Sequence, residues 1–224
     1  MKKSLAILFL LLAQFNASQA SADFVYSSTV TFNNMGESVN FGVNNLTNQT
    51  GLKNGYTSGV TDFTTATAAS NTYTQGATNA SWRGNASTGT LEFALEETVN
   101  LTSLAWWNGF GSTQTGTQVG REVNSFTVFT STVADFSTIT NVGTYTNAKS
   151  VGTVANAVTP NTFDLNTVTQ AQYIRVVINS NYGNASLTEM GEVAFGGTAV
   201  PEPTTFGILS VFGIGLVTAR RRRR

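Results

Sequence analysis

Apolar and polar residues alternate with period two through much of this 224-residue chain. The pattern runs through FVYSSTVTF (24–32), TLEFALEETV (90–99), LTSLAWWN (101–108), SFTVFTS (125–131), YIRVVINS (173–180) and GEVAFGG (191–197). In the second stretch Leu91, Phe93 and Leu95 share one face, and Glu92 and Glu96 fall mainly on the other. No long segment carries helical apolar spacing. A chain of this kind buries its apolar faces by stacking sheets. Thr tolerates strands, and Gly and Asn between them supply turns. The expected fold is all-β, an antiparallel jelly-roll β-sandwich formed as one domain over residues 23–200. Residues 57–81 and 141–162 read as low-complexity loops or Thr-rich edge regions.

Both ends of the chain read as processing segments. Met1-Lys2-Lys3 precedes an apolar stretch from Leu5 to Ala13 and small residues around Ala20-Ser21-Ala22. These are the three parts of a secretory signal peptide, residues 1–22, with the cut expected after Ala22 or alternatively after Ala20. At the other end, residues 204–219 form an apolar run of 16 residues, followed by Arg220, Arg221, Arg222, Arg223 and Arg224. A helix of that length spans roughly 24 Å, short of the ~30 Å hydrocarbon core. Local thinning and snorkelling arginines close the gap. The run therefore reads as a transmembrane helix with a cytoplasmic basic stop. A buried C-terminal helix is the alternative, and it suits neither the arginines nor the sandwich.

Setting these ends aside changes the charge. Of 12 basic residues only Lys53, Arg83, Arg121, Lys149 and Arg175 lie in the body, against 11 of the 12 acidic ones, so residues 23–200 carry a net charge of 5 − 11 = −6. That argues against nucleic acid as a partner, because phosphate binding needs clustered cations. The chain has no cysteine and no histidine. An exported domain without disulfides must rely on its core. The commonest general base and metal ligand is also missing. Glu96 and Glu97 are adjacent and expected to diverge on a strand, which makes them a poor acid–base pair. No phosphate loop or nucleophile triad is present.

The order of features over residues 82–197 resembles a discoidin-like domain (coagulation factor 5/8 type C, galactose-binding-like). SWRGNASTGTLEFALEETVNLTSLAWWN matches the family's Trp, alternating strand and second Trp-bearing strand at Trp82, Leu91 to Leu95, and Trp106 or Trp107. GREVNSFTVFTS matches at Arg121, Phe126, Val128 and Ser131. The closing segment matches at Tyr173, Ile174, Arg175, Leu187, Glu192, Val193, Phe195 and Gly196. The acidic loop that often precedes the family's first Trp is replaced by NTYTQGATNASW, and the terminal cysteines are absent.

The resemblance implies a binding module. Trp106, Trp107 and Tyr182, with Trp82, are candidates to stack on a sugar ring. Neighbouring strand positions face opposite ways, so one of Trp106 and Trp107 is expected in the core and the other at an exposed rim. The alternative is that both cover core or inter-sheet surface. Glu192 stands at the family's last acidic position, where sugar-binding relatives hold a structural Ca²⁺, and Asp62 is the candidate partner carboxylate. Arg121 and Arg175 match strand arginines, for ligand contact or for pairing with a nearby Glu. Asn79, Asn85, Asn100 and Asn184 open Asn-x-Ser/Thr triplets, which chance explains in so Asn-rich a chain.

Pro201-Glu202-Pro203, the apolar run and the arginine cluster together resemble the PEP-CTERM sorting signal of Gram-negative bacteria, over residues 201–224. The prolines keep that tripeptide extended, as a processing enzyme needs. The resemblance implies export, temporary anchoring in the inner membrane with the body on the periplasmic side, and processing by an exosortase. The product is then expected at the cell surface or outside the cell. Its expected role is non-catalytic binding of exopolysaccharide or another biofilm-matrix component. A purely structural matrix protein and an extracellular carbohydrate-active enzyme are the rivals.

Overall fold

The computed structural model describes residues 23–74, 80–109, 119–150 and 157–200. The expected signal peptide (1–22), sorting tripeptide, membrane helix (204–219) and arginine cluster lie outside the described residues.

Eight strands follow in chain order: β1 (Phe24–Tyr26), β2 (Ser28–Asn33), β3 (Trp82–Gly84), β4 (Gly89–Asn108), β5 (Val123–Ser131), β6 (Thr140–Thr146), β7 (Asn161–Asn181) and β8 (Thr188–Ala199). One short helix, α1 (Phe63–Ala66), is capped by Asp62, whose side chain accepts from the Thr65 N–H. Every pairing between these strands is antiparallel. The hydrogen-bonded order is β1-β8-β4-β7-β5-β6, with β2 added on β4 and β3 on β8.

The two long strands make the sandwich. β4 has 20 residues and β7 has 21. Up to Leu95, β4 pairs with β2, and up to Ala94 with the second half of β7. From Val99 it pairs with β8 and with the first half of β7. The register shifts between Ala94 and Val99, and bulges of this kind bend a strand. The bend folds β4 back over itself. Phe93, in its first half, lies 5.2 Å from Phe195, which pairs with Leu104 in its second half. Trp106 stacks on Phe126 of β5 at 4.5 Å. One layer is thus β2, the start of β4, the end of β7, β5 and β6. The other is β1, β3, β8, the end of β4 and the start of β7.

Two sequence readings change and one pair of alternatives is decided. Residues 24–32 form two strands, not one: β1 pairs with β8 and β2 with β4, so the chain crosses between layers at Ser27. For the Thr-rich stretch 141–162 the edge-region alternative holds at its start, which belongs to the edge strand β6. β7 begins at Asn161, 12 residues before the clear alternation, because its polar first half is held by backbone pairing to β4.

Two cores form. The larger lies between the layers and includes Leu91, Phe93, Leu104, Trp106, Phe126, Ile174 and Phe195. The smaller lies outside the second layer, where Val25, Ala105, Trp107 and Ala194 meet Phe63, Ala66 and Tyr73 of the segment that crosses that face. Gly196 permits this cover: a Cβ there would stand 2.5 Å from the Phe63 ring and collide with Ser103. The outer face of the first layer has no comparable cover among the described residues. The ends of the body meet at one edge, since Phe24 pairs with Gly197 and Asp23 accepts from Thr102 and Ser103 hydroxyls at 2.6 Å each.

Candidate functional site

Trp106 and Trp107 do face opposite sides of their strand, but neither is exposed; both have 0% accessible surface. The reading that both cover core or inter-sheet surface holds, and the second core rules out the exposed-rim reading. Trp106 points between the layers, while Trp107 points outward and is covered by the segment carrying Phe63 and Tyr73. Its indole N–H donates to the Asn71 carbonyl at 3.0 Å. Trp82 is buried too, donating to the Gly36 carbonyl at 3.2 Å. Tyr182 is half-buried; its hydroxyl donates to the Asn147 carbonyl at 2.6 Å, and the Lys149 ammonium lies 5.3 Å from its ring. These four aromatics do not form a common platform.

Glu192 and Asp62 are not brought together. Asp62 is a half-buried helix cap, bonded to Thr64 and Thr65, and these bonds hold its carboxyl below the usual range. It bridges to Phe24, opposite Gly197, five residues along β8 from Glu192, which is roughly 16 Å on an extended strand. Glu192 is fully buried. Its Oε1 accepts from the Gln49 N–H at 3.4 Å, and its Oε2 has no partner among the described residues. Burial pushes its pKa well above the ordinary carboxylate value. Tyr56 and Tyr73 stand close enough for its charge to help burial raise their own phenols. No group of three or more acidic ligands occurs among the described residues.

A second buried carboxylate, Glu189, is paired. Arg83 donates to it through Nε at 2.9 Å and Nη2 at 3.3 Å; Arg121 Nη1 lies at 3.7 Å, and Ser81 donates at 3.2 Å. Arg121 therefore takes the paired role rather than an exposed ligand-contact role. Beside it Glu122, also buried, accepts from the Ser150 N–H at 2.8 Å and from its hydroxyl. This cluster stitches four segments together at one end of the sandwich.

Arg175 is different, because it stands on the outer face of the first layer, where the turn carrying Phe136 is the local cover. Its Nε donates to Glu92 Oε1 at 2.7 Å, and its Nη2 lies 2.7 Å from the same oxygen. The guanidinium sits 4.2 Å from the ring centroid of Phe136. Phe136 has a left-handed backbone, φ 54°, rare for a bulky side chain. The turn is held by Asp135, which accepts from the Ser137 N–H at 2.9 Å. Register places Phe32, Glu92, Arg175 and Phe129 in one row across β2, β4, β7 and β5. Sequence reasoning missed Glu92, Phe32, Phe129 and Phe136 as a group, because no spacing in the chain reveals a cross-strand row.

Fold and sites define an antiparallel β-sandwich in which Arg83, Arg121 and Arg175 each pair with a carboxylate. The chain carries a PEP-CTERM protein-sorting motif: a family model of that description matches residues 199–224. The motif implies an exported protein that is held in the membrane and then processed. No curated protein matches the chain. Among solved structures the chain is similar to a CBM32 module of a GH31 protein bound to GalNAc, at 10% identity, covering 76% of this chain and 97% of that one, with a TM-score of 0.49. It is also similar to the family 32 CBM from C. perfringens NanJ in complex with galactose (11% identity, 78% and 98% covered, TM-score 0.46). An F5/8 type C domain from Bacteroides fragilis is a third (11% identity, 50% and 67% covered, TM-score 0.37).

Proposed function

We propose that this protein is an exported, non-catalytic surface module of a Gram-negative bacterium. It is anchored in the inner membrane with its body in the periplasm, is processed by an exosortase, and binds a polysaccharide of the extracellular matrix. The sorting motif at residues 199–224 carries this reading. The fold supports it, because the motif follows directly on β8 at the edge where the body also begins.

Residues 23–200 contain both cores, so this span is suited to binding assays. A glycan array with it is expected to show selective polysaccharide binding. Uniformly blank arrays would favour the purely structural matrix protein, and release of reducing ends from a bound glycan would favour the enzyme. In cells, deletion of Pro201-Glu202-Pro203 is expected to leave the protein membrane-bound and unprocessed.

A structural Ca²⁺ belongs to the same proposal. Glu192 fits one ligand position, since a cation would satisfy its orphaned Oε2; Asp62 does not fit. Ca²⁺ requires six to eight oxygens, and Glu192, beside the loop that carries Gln49, would supply its carboxylate. Bound, the ion would keep Glu192 ionised and tie that loop to β8. Millimolar Ca²⁺ is expected to raise the midpoint of thermal unfolding of residues 23–200, and Glu192→Gln to abolish the rise. An unchanged midpoint in the unmodified protein would end the calcium assignment.

A further inference from the structure

We infer that the open part of the outer face of the first layer, beside the Phe136 turn, is a binding groove for a neutral polysaccharide chain, which lies across the strands. The inference rests on the carbohydrate-binding reading above and gives it a place and a ligand class.

The groove has a volume of about 550 Å³ and is lined by Phe32, Thr90, Glu92, Phe129, Arg175 and Val177, with Ile139 at its rim. That volume falls in the range of small-molecule clefts. Phe32 is 44% exposed and Ile139 45% exposed. Phe32 and Phe129 sit three strand spacings apart, roughly 14 Å, with the Glu92–Arg175 pair between them. The two rings offer negative π-faces, to which the C–H faces of pyranose rings are complementary.

The polar centre sets the ligand class. Arg175 aims both Nε and Nη2 at one oxygen of Glu92. This leaves Glu92 Oε2 to accept, and the remaining guanidinium N–H groups to donate. Paired hydroxyls of a sugar ring both give and take hydrogen bonds, and so suit this arrangement. A uronic-acid chain does not: the cation is already matched by Glu92, and the body around it carries a net charge of −6. The same charge opposes seating a second copy of the chain on this face.

The geometry is held in advance. Phe136 stacks over the guanidinium from a strained left-handed backbone, and a ring contact at 6.5 Å to Tyr173 locates it. Strain of this kind persists where surrounding structure enforces it, often at binding sites. Prior ordering of Arg175 reduces the ordering penalty on binding.

The test is calorimetric titration of the full chain in detergent with cellohexaose, laminarihexaose and mannohexaose, and with hexamannuronate as the anionic probe. At least one neutral hexamer is expected to bind, and hexamannuronate at least tenfold more weakly. Phe129→Ala and Arg175→Gln are each expected to weaken the neutral ligand at least tenfold. Val177→Trp, a half-exposed site that fills the groove without removing a contact, is expected to abolish binding while thermal unfolding stays unchanged. Neutral-hexamer binding that survives all three substitutions would overturn the groove and leave the carbohydrate-binding reading intact. Tighter binding of hexamannuronate would overturn the ligand class. No binding by any hexamer, with the array also blank, would overturn both readings. A monomer–dimer shift relieved by Phe32→Ala would assign the face to self-association instead.

Discussion

Trp107→Ala is expected to destabilise residues 23–200 by about 3–5 kcal/mol, the range for removing a large buried aromatic. Trp107 has no accessible surface and fills the smaller core between β4 and the segment carrying Phe63, Ala66 and Tyr73. Its loss also removes the donor to the Asn71 carbonyl. Asn71 is a staple for that segment: its amide donates to Ala66 and Asn54 carbonyls at 2.7 and 3.0 Å, and its oxygen accepts from the Asn54 N–H at 2.8 Å. The alanine variant is therefore expected to lose its cover before its sandwich. In urea denaturation the midpoint should fall, and limited proteolysis should cut first within residues 52–74. Trp106→Ala is expected to destabilise by a similar amount but to leave that segment protected, since Trp106 lies between the layers against Phe126. Early cleavage in both variants, or in neither, would show that the two cores are not separate.

Glu189→Ala is expected to cost about 3–5 kcal/mol, as for breaking a buried ion pair from one side. Glu189 is the buried carboxylate on which Arg83 and Arg121 converge, and Arg83 is further fixed by stacking 3.7 Å over Phe41. Burial raises the Glu189 pKa, although the arginines pull it down. Its folded value thus lies above its unfolded value, and the folded state holds the proton longer. The associated stability is present below the unfolded value near 4.5 and is lost as pH rises through the folded value. Arg83→Met removes the strongest counter-charge and should widen that window. Its destabilisation is therefore expected to be small at pH 5 and larger at pH 8, read from chemical denaturation at each pH. A penalty independent of pH would mean that Arg83 acts through packing alone.

Much of the layer structure was legible from alternation. Leu91, Phe93 and Leu95 are buried together, and Glu92 faces out from between them. Parity also placed Trp106 and Trp107 on opposite faces. Exposure could not be read in the same way, because parity says which side a residue faces and not what covers that side. The cover comes from residues 52–74, a Thr- and Asn-rich stretch without an alternating pattern. It is held by backbone bonds such as Tyr73 N–H to Val158 and Lys53 N–H to Thr72. Glu192 and Asp62 are kept apart for a related reason: both are acidic, but one caps the short helix α1 and the other is buried further along β8. The split of residues 24–32 was equally hidden, since both halves alternate correctly and only their partners differ.

By itself, then, the sequence determined the all-β class, the sorting motif at the C-terminus, the acidic body and the faces of the principal strands. Each of these is a local property, set by residue type and by the period of two along an extended backbone. Tertiary structure alone decided which faces were left bare. The bend in β4 brought Phe93 over Phe195, the crossing segment buried Trp107, and register across four strands set Phe32, Glu92, Arg175 and Phe129 in a row. Those residues are separated by up to 143 positions in the chain, and only antiparallel pairing makes them neighbours.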